Sequence, residues 1–199
     1  MASVNLTKNL DHLFISKVRI KVIKYFIFSP DIPIHLRGLV REIQEEINAV
    51  RRELTRLCDI DFIRTEVRGN RRYFVLNRDY VFINELLSIF HKSFGLGGLI
   101  LKNLHNLGEI DYALLTGSII NFLPPNPNLI DLVLIGQIDV SALSEIITES
   151  EKRLGREINY TIMKPSEFIL KKKRRDSFIM NLLTANKIML KGDITEFAS

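Results

Sequence analysis

The segment from Phe62 to Leu76 constrains this chain most. Phe62 to Val67 and Arg72 to Leu76 are short runs containing β-branched and aromatic residues, separated by Arg68-Gly69-Asn70-Arg71. Gly and Asn tolerate the positive φ of a tight hairpin. The pattern predicts two antiparallel strands whose register the turn fixes. It also places Arg68, Arg71 and Arg72 at or beside the tip, and a hairpin kept only for structure has less reason to gather arginine there.

The preceding residues read as three helices. Val18, Val22, Phe26 and Ile27 form an apolar stripe over Ile15 to Phe28, which Ser29-Pro30-Asp31 ends, with Pro33 in the loop. A second helix is expected from Leu36 to Ile43, then a polar turn, Gln44-Glu45-Glu46, then a third helix from Asn48 to Cys58. In the third helix Val50, Leu54, Leu57 and Cys58 fall on one face. Asn48, Arg51, Arg52 and Thr55 fall on the other, where each can donate a hydrogen bond to a phosphate or a base edge. An ordinary amphipathic helix with solvated arginines would show the same two faces.

Charge separates these readings further. Residues 1–79 hold 15 Lys+Arg against 10 Asp+Glu, and the remaining 120 residues hold 13 of each, so the whole net charge of +5 lies in the first part. A local basic excess is the footprint of phosphate binding, although a solvated surface also accounts for charge alone.

Leu39-Val40-Arg41-Glu42-Ile43, Val50-Arg51-Arg52-Glu53-Leu54 and Gly69-Asn70-Arg71-Arg72-Tyr73-Phe74 together resemble the winged helix-turn-helix transcriptional regulators of the arsenic-repressor superfamily, over roughly Leu13 to Asp79. The resemblance implies a second helix, a recognition helix and a wing. It departs at Gln44-Glu45-Glu46, where a Gly-containing turn is usual. The DNA-binding residues expected are Asn48, Arg51, Arg52, Thr55, Arg68, Asn70, Arg71 and Arg72.

Beyond residue 79, Val81 to Phe90 reads as a helix with Phe82, Leu86, Ile89 and Phe90 on one side, and Gly95-Leu96-Gly97-Gly98 as a helix break or hinge. Ile110 to Leu115 is an expected strand ending in Thr116-Gly117-Ser118, and Pro124, Pro125 and Pro127 mark a loop. Leu129 to Gly136 is a second expected strand, Ser141 to Leu154 a helix, Glu157 to Met163 a third strand, and Pro165 opens another helix. Alternating strands and helices argue for a small α/β domain. Lys171 to Arg175 is a basic run, expected to be a solvated face, with an extended DNA footprint or an acidic partner as the alternatives.

Gly117-Ser118, Asp131, Arg156-Glu157-Ile158-Asn159 and Lys164-Pro165-Ser166-Glu167-Phe168 resemble the minimal nucleotidyltransferase domain of the DNA polymerase beta superfamily, over roughly Glu109 to Gly192. The resemblance implies a Gly-Ser turn on nucleotide phosphates, an Asp-x-Asp pair on magnesium and a third acid on a later strand. This chain has Leu129-Ile130-Asp131 at the pair and Asn159 at the third place. Two-metal chemistry needs carboxylates there. Gly117, Ser118 and Asp131 are therefore expected to form a degenerate nucleotide site, with no catalytic residues, no metal and no cofactor.

The fold expected is α+β: a winged helix domain over 1–79, a helical connector over 80–108 and a small α/β nucleotidyltransferase-like domain over 109–199. The function expected is DNA-binding transcriptional regulation, the second domain serving as sensor or dimerisation module. The partners expected are double-stranded DNA and a second copy in a homodimer, with room for a small-molecule or nucleotide ligand. The alternatives are an active nucleotidyltransferase, of the toxin–antitoxin type, acting on a protein or small molecule, and an interaction module that binds no DNA. The lone Cys58, the absence of a long apolar run and a start, Met1 to Asp11, unlike a signal peptide point to a cytoplasmic protein without a membrane partner.

Overall fold

The computed structural model describes residues 6–123 and 126–199. The first five residues of the expected N-terminal domain and the loop prolines Pro124 and Pro125 lie outside them. The architecture is α+β, with ten α-helices and two small sheets among the described residues. The described residues divide into two compact units, one up to Phe90 and one from His91 to Ser199.

The first unit opens with α1 (Leu6–Phe14) and α2 (Lys17–Phe28). Ser16 caps α2, its hydroxyl accepting from the Arg19 N–H at 3.1 Å. This cap explains why α2 starts two residues after the expected Ile15. A two-residue strand β1 (Ile34–His35) leads into α3 (Leu36–Ile43), and α4 (Ile47–Asp59) follows the turn. Strands β2 (Ile63–Arg68) and β3 (Arg71–Leu76) form the expected hairpin, with Arg68 opposite Arg71. The sheet order is β1-β3-β2, all antiparallel. Val22, Phe26, Leu39, Val50 and Phe62 have no exposed surface and form the heart of this unit's core.

Helix α5 (Ile83–Ser93) carries the chain from the first unit to the second. Its buried positions include Ile83, Leu87 and Phe90, spaced i, i+4, i+7. Phe82, expected on the apolar side, precedes the helix and is 57% exposed. The glycine segment does break the helix, since Gly95 takes φ +60, but Gly97 and Gly98 belong to a new helix, α6 (Gly95–Lys102). A Cβ on Gly97 would stand 2.3 Å from the His91 carbonyl oxygen, so this tight return needs glycine.

In the second unit, β4 (Gly108–Leu115), β5 (Leu132–Ile138), β6 (Tyr160–Met163) and β7 (Ile188–Lys191) form a sheet of order β6-β5-β4-β7. Only the β5–β6 pair is parallel, and α7 (Val140–Leu154) makes that crossover. Asp139 caps α7 by accepting from the Ser141 and Ala142 N–H groups, and Gly155 ends it in the left-handed region. α8 (Pro165–Lys173), α9 (Ser177–Thr184) and α10 (Ile194–Ala198) complete the unit. Leu114, Val133, Ile135, Phe168, Ile179 and Phe197 form the core of one sheet face.

Three strand starts differ from the sequence reading by two residues or more. β4 begins at Gly108 rather than Ile110, β5 at Leu132 rather than Leu129, and β6 at Tyr160 rather than Glu157. No helix among the described residues is long and apolar enough to cross a membrane.

Candidate nucleic-acid interface

His35 sets the entry to α3. Its Nδ1 accepts from the Gly38 N–H at 2.8 Å, and its ring stacks on Tyr73 of β3 at 5.6 Å. The helix ends at Gln44, which takes the left-handed conformation (φ 53, ψ 55) where a glycine is usual. The two acids that follow are both engaged. Glu45 accepts from Lys21 Nζ at 2.6 Å. Glu46 caps α4, with one oxygen on the Asn48 N–H and the other on the Ala49 N–H, each at 2.8 Å. Those two backbone donors hold the Glu46 carboxyl below its ordinary range.

The buried face of α4 carries Val50, Leu54 and Leu57, and with them Glu53 at 4% exposure. Glu53 accepts from Arg19 Nε at 2.8 Å, Arg56 Nη1 at 2.9 Å and Ser16 Oγ at 3.3 Å. Burial pushes its carboxyl up, but the two guanidiniums and the Ser16 hydroxyl outweigh burial and hold it below its ordinary value. This cluster ties α2 to α4. Cys58, expected on the core face, is only half-buried, and burial pushes its thiol up.

The opposite face of α4 presents Asn48, Arg51, Arg52 and Thr55, all exposed. Asn48 Oδ1 accepts from Arg51 Nη1 at 2.9 Å, and Thr55 Oγ1 donates to the Arg51 carbonyl at 3.1 Å. On the hairpin, Arg68 is paired with Glu66 at 2.7 Å and stands 5.5 Å over the Tyr73 ring. Asn70, Arg71 and Arg72 are exposed at or beside the tip.

The arginines of this unit fall into two sets. Arg19, Arg56, Arg64, Arg68 and Arg78 each pair with a carboxylate. Arg37, Arg41, Arg51, Arg52, Arg71 and Arg72 have no carboxylate within ion-pair distance among the described residues. A concavity of about 760 Å³, bounded by α4, the start of α3 and the hairpin, is lined by Arg37, Arg51, Arg71 and Arg72, with Thr55 beside them and Asp59 as its one acid. A second, of about 520 Å³, shares Arg37 and Arg71 and adds Arg41.

The structure therefore brings Arg51, Thr55, Arg71 and Arg72 to one concavity. Asn48, Arg52, Arg68 and Asn70 are exposed but do not line it. Sequence reasoning missed Arg37 and Arg41. Their i, i+4 spacing, which puts both on one side of α3, was the available signal.

In the second unit Gly117, Ser118 and Asp131 also come together. Asp131 has no exposed surface. It accepts from Ser118 Oγ at 2.9 Å, the Ile119 N–H at 3.2 Å and the Asn159 N–H at 3.3 Å. Arg156 adds two contacts, at 2.9 and 3.3 Å. Five donors satisfy the carboxylate inside the protein. Asn159 Nδ2 clasps the segment before β5, donating to the Asn126 and Leu129 carbonyls at 3.1 and 3.2 Å. Leu129 and Asp131 thus lie before the strand, not on it as the sequence reading expected. Among the described residues, no group of three His, Cys, Asp or Glu side chains is placed to hold a metal ion.

No family model matches the chain. No curated protein matches it. Among solved structures, a match is found to human N-acetylserotonin methyltransferase in complex with SAM, at 10% identity and a TM-score of 0.30, over 52% of this chain and 34% of that one. At that TM-score the match assigns neither fold nor activity to this chain. The expected membership of the arsenic-repressor and DNA polymerase beta superfamilies is withdrawn, because no family model and no curated protein places the chain in either. The expectation that the chain is not an enzyme is withdrawn with it, since it rested on the nucleotidyltransferase resemblance.

Proposed function

We propose that this chain is a DNA-binding transcriptional regulator acting in the cytoplasm as a homodimer. Its first unit works as a winged helix, and its second as a sensor or dimerisation module. α4 enters the major groove, and the β2–β3 hairpin lies along the backbone or the adjacent minor groove. The observation that carries this reading is the division of the arginines. Those with a structural task are neutralised by carboxylates, while Arg37, Arg51, Arg71 and Arg72 are left without one and converge on a single concavity. Guanidiniums gathered without counter-charges suit a polyanion.

The same division separates positioning from reading. Arg37, Arg51, Arg71 and Arg72 hold phosphates, whereas Arg52, exposed on α4 outside the concavity, reaches base edges. Anisotropy of labelled duplexes tests this. Arg71→Ala weakens binding to all sequences alike. Arg52→Ala relaxes sequence preference, with a loss of roughly 1–3 kcal/mol on the preferred site. Absence of duplex binding at low salt overturns the proposal and leaves a protein-interaction module.

A further inference from the structure

The second unit holds a concavity of about 830 Å³ between β4, α8 and α10, remote in sequence from the arginine-lined face. Its walls are aromatic and aliphatic. Tyr112 and Phe168 line it with their rings 6.0 Å apart, and the fully buried Phe197 backs them, 5.3 Å from Tyr112 and stacked on Phe168 at 5.2 Å. Ile110, Ile135 and Ile169 also line it. The backbone is shaped to this arrangement at two points. The β4–β5 register shifts between Ile110 and Tyr112, so Asp111 sits in a bulge, a device that re-aims a side chain. A Cβ on Gly192 would lie 2.3 Å from the Tyr112 ring, so the ring stands directly against bare backbone.

The charges around these walls are of both signs and are not spent on each other. Asp111 on β4 and Glu196 on α10 lie close enough to the Tyr112 phenol to help burial raise it above its ordinary range. Lys172 and Lys173 come from the last turn of α8. Lys172 Nζ donates to the Phe197 carbonyl at 2.8 Å. Among the described residues no ion pair joins either acid to either lysine, although the neighbouring Lys171 pairs with Glu167 at 2.9 Å. Opposite charges that line one apolar concavity without bridging it are complementary to a molecule that carries both.

The geometry points to this concavity as the site of a small zwitterionic ligand with a flat apolar body, its amine held toward Asp111 and Glu196 and its carboxylate toward Lys172 and Lys173. The aromatic walls take the apolar body, with the Tyr112 face adding an attraction for the ammonium. This inference does not rest on DNA binding.

Calorimetric titration of the full chain tests it with three probes: L-phenylalanine, which carries both charges; phenethylamine, which lacks the carboxylate; and hydrocinnamate, which lacks the amine. L-phenylalanine binds saturably, and each single-charge probe binds about three- to tenfold more weakly. Asp111→Asn removes the advantage over hydrocinnamate, and Lys173→Gln removes the advantage over phenethylamine. Ile169→Trp, on the half-exposed rim, abolishes binding with the melting temperature unchanged. The inference is overturned if L-phenylalanine shows no saturable binding, if the three probes bind alike, or if binding survives Ile169→Trp at full affinity.

Discussion

Glu53 is a charged side chain on the buried face of α4, between Val50 and Leu57. Its sequence position marks it as core by periodicity and as surface by chemistry. The structure resolves the conflict by bringing Arg19 from α2 and Arg56 from the next turn to its two oxygens. Because the folded carboxyl titrates below the ordinary glutamate value of 4.5, its stabilisation is complete above that pH. It is lost as pH falls through the folded value. Glu53→Gln removes the charge and leaves both guanidiniums free to turn to water, which limits the cost to about 1–3 kcal/mol at neutral pH. Urea titrations at neutral and acid pH should show the variant's deficit shrinking as pH drops. A deficit equal at both would mean that the ion cluster does not hold α2 on α4. Asp131 illustrates the same limit of sequence. Its burial and its partners Ser118 and Arg156, 13 and 25 residues away, are set by tertiary packing that no local pattern encodes.

At the scale of elements, legibility followed the strength of local signals. α3 occupies Leu36–Ile43 and the hairpin turns at Gly69-Asn70, as the sequence reading expected, because a polar turn after Ile43 and the positive φ of Gly69 (φ 60) fix them. Elements without such signals were lost. β7 has four residues and α10 five, too short to show a period, and α1 precedes the stripe that announced α2. Leu129 to Asp131 was absorbed into β5 because an apolar run reads alike whether or not it pairs. The α3–α4 turn offers a direct test. Gln44 adopts φ 53, a region that disfavours side chains with a Cβ, so Gln44→Gly relieves strain that exceeds glycine's extra chain entropy. The variant should gain about 0.5–1 kcal/mol and melt about 1–4 °C higher. An unchanged or lower melting temperature would show that Gln44 makes compensating contacts.

Over the whole molecule, the charge imbalance seen in the sequence became informative only when ion pairs were assigned. The first 79 residues carry the net +5, but five of their arginines are neutralised locally, which concentrates the usable charge on α3, α4 and the hairpin. The second unit has one comparable run, Lys171 to Arg175, where Lys171 is paired with Glu167 and Lys172 binds a carbonyl. Lys173, Arg174 and Arg175 remain exposed, so they compete with the first unit as a phosphate surface. Counterion release distinguishes the two, because each phosphate contact steepens the dependence of log K on log salt by about 0.9 on duplex DNA. If the concavity between α4 and the hairpin is the footprint, replacing Arg71 and Arg72 by Gln lowers the slope by up to about 1.8, while replacing Lys173, Arg174 and Arg175 by Gln leaves it unchanged. The opposite ranking would move the DNA surface to the second unit, and equal losses would extend it over both. Measured on the full chain from low to moderate salt, the slopes give this answer without knowledge of the operator, since phosphate contacts are made on any sequence.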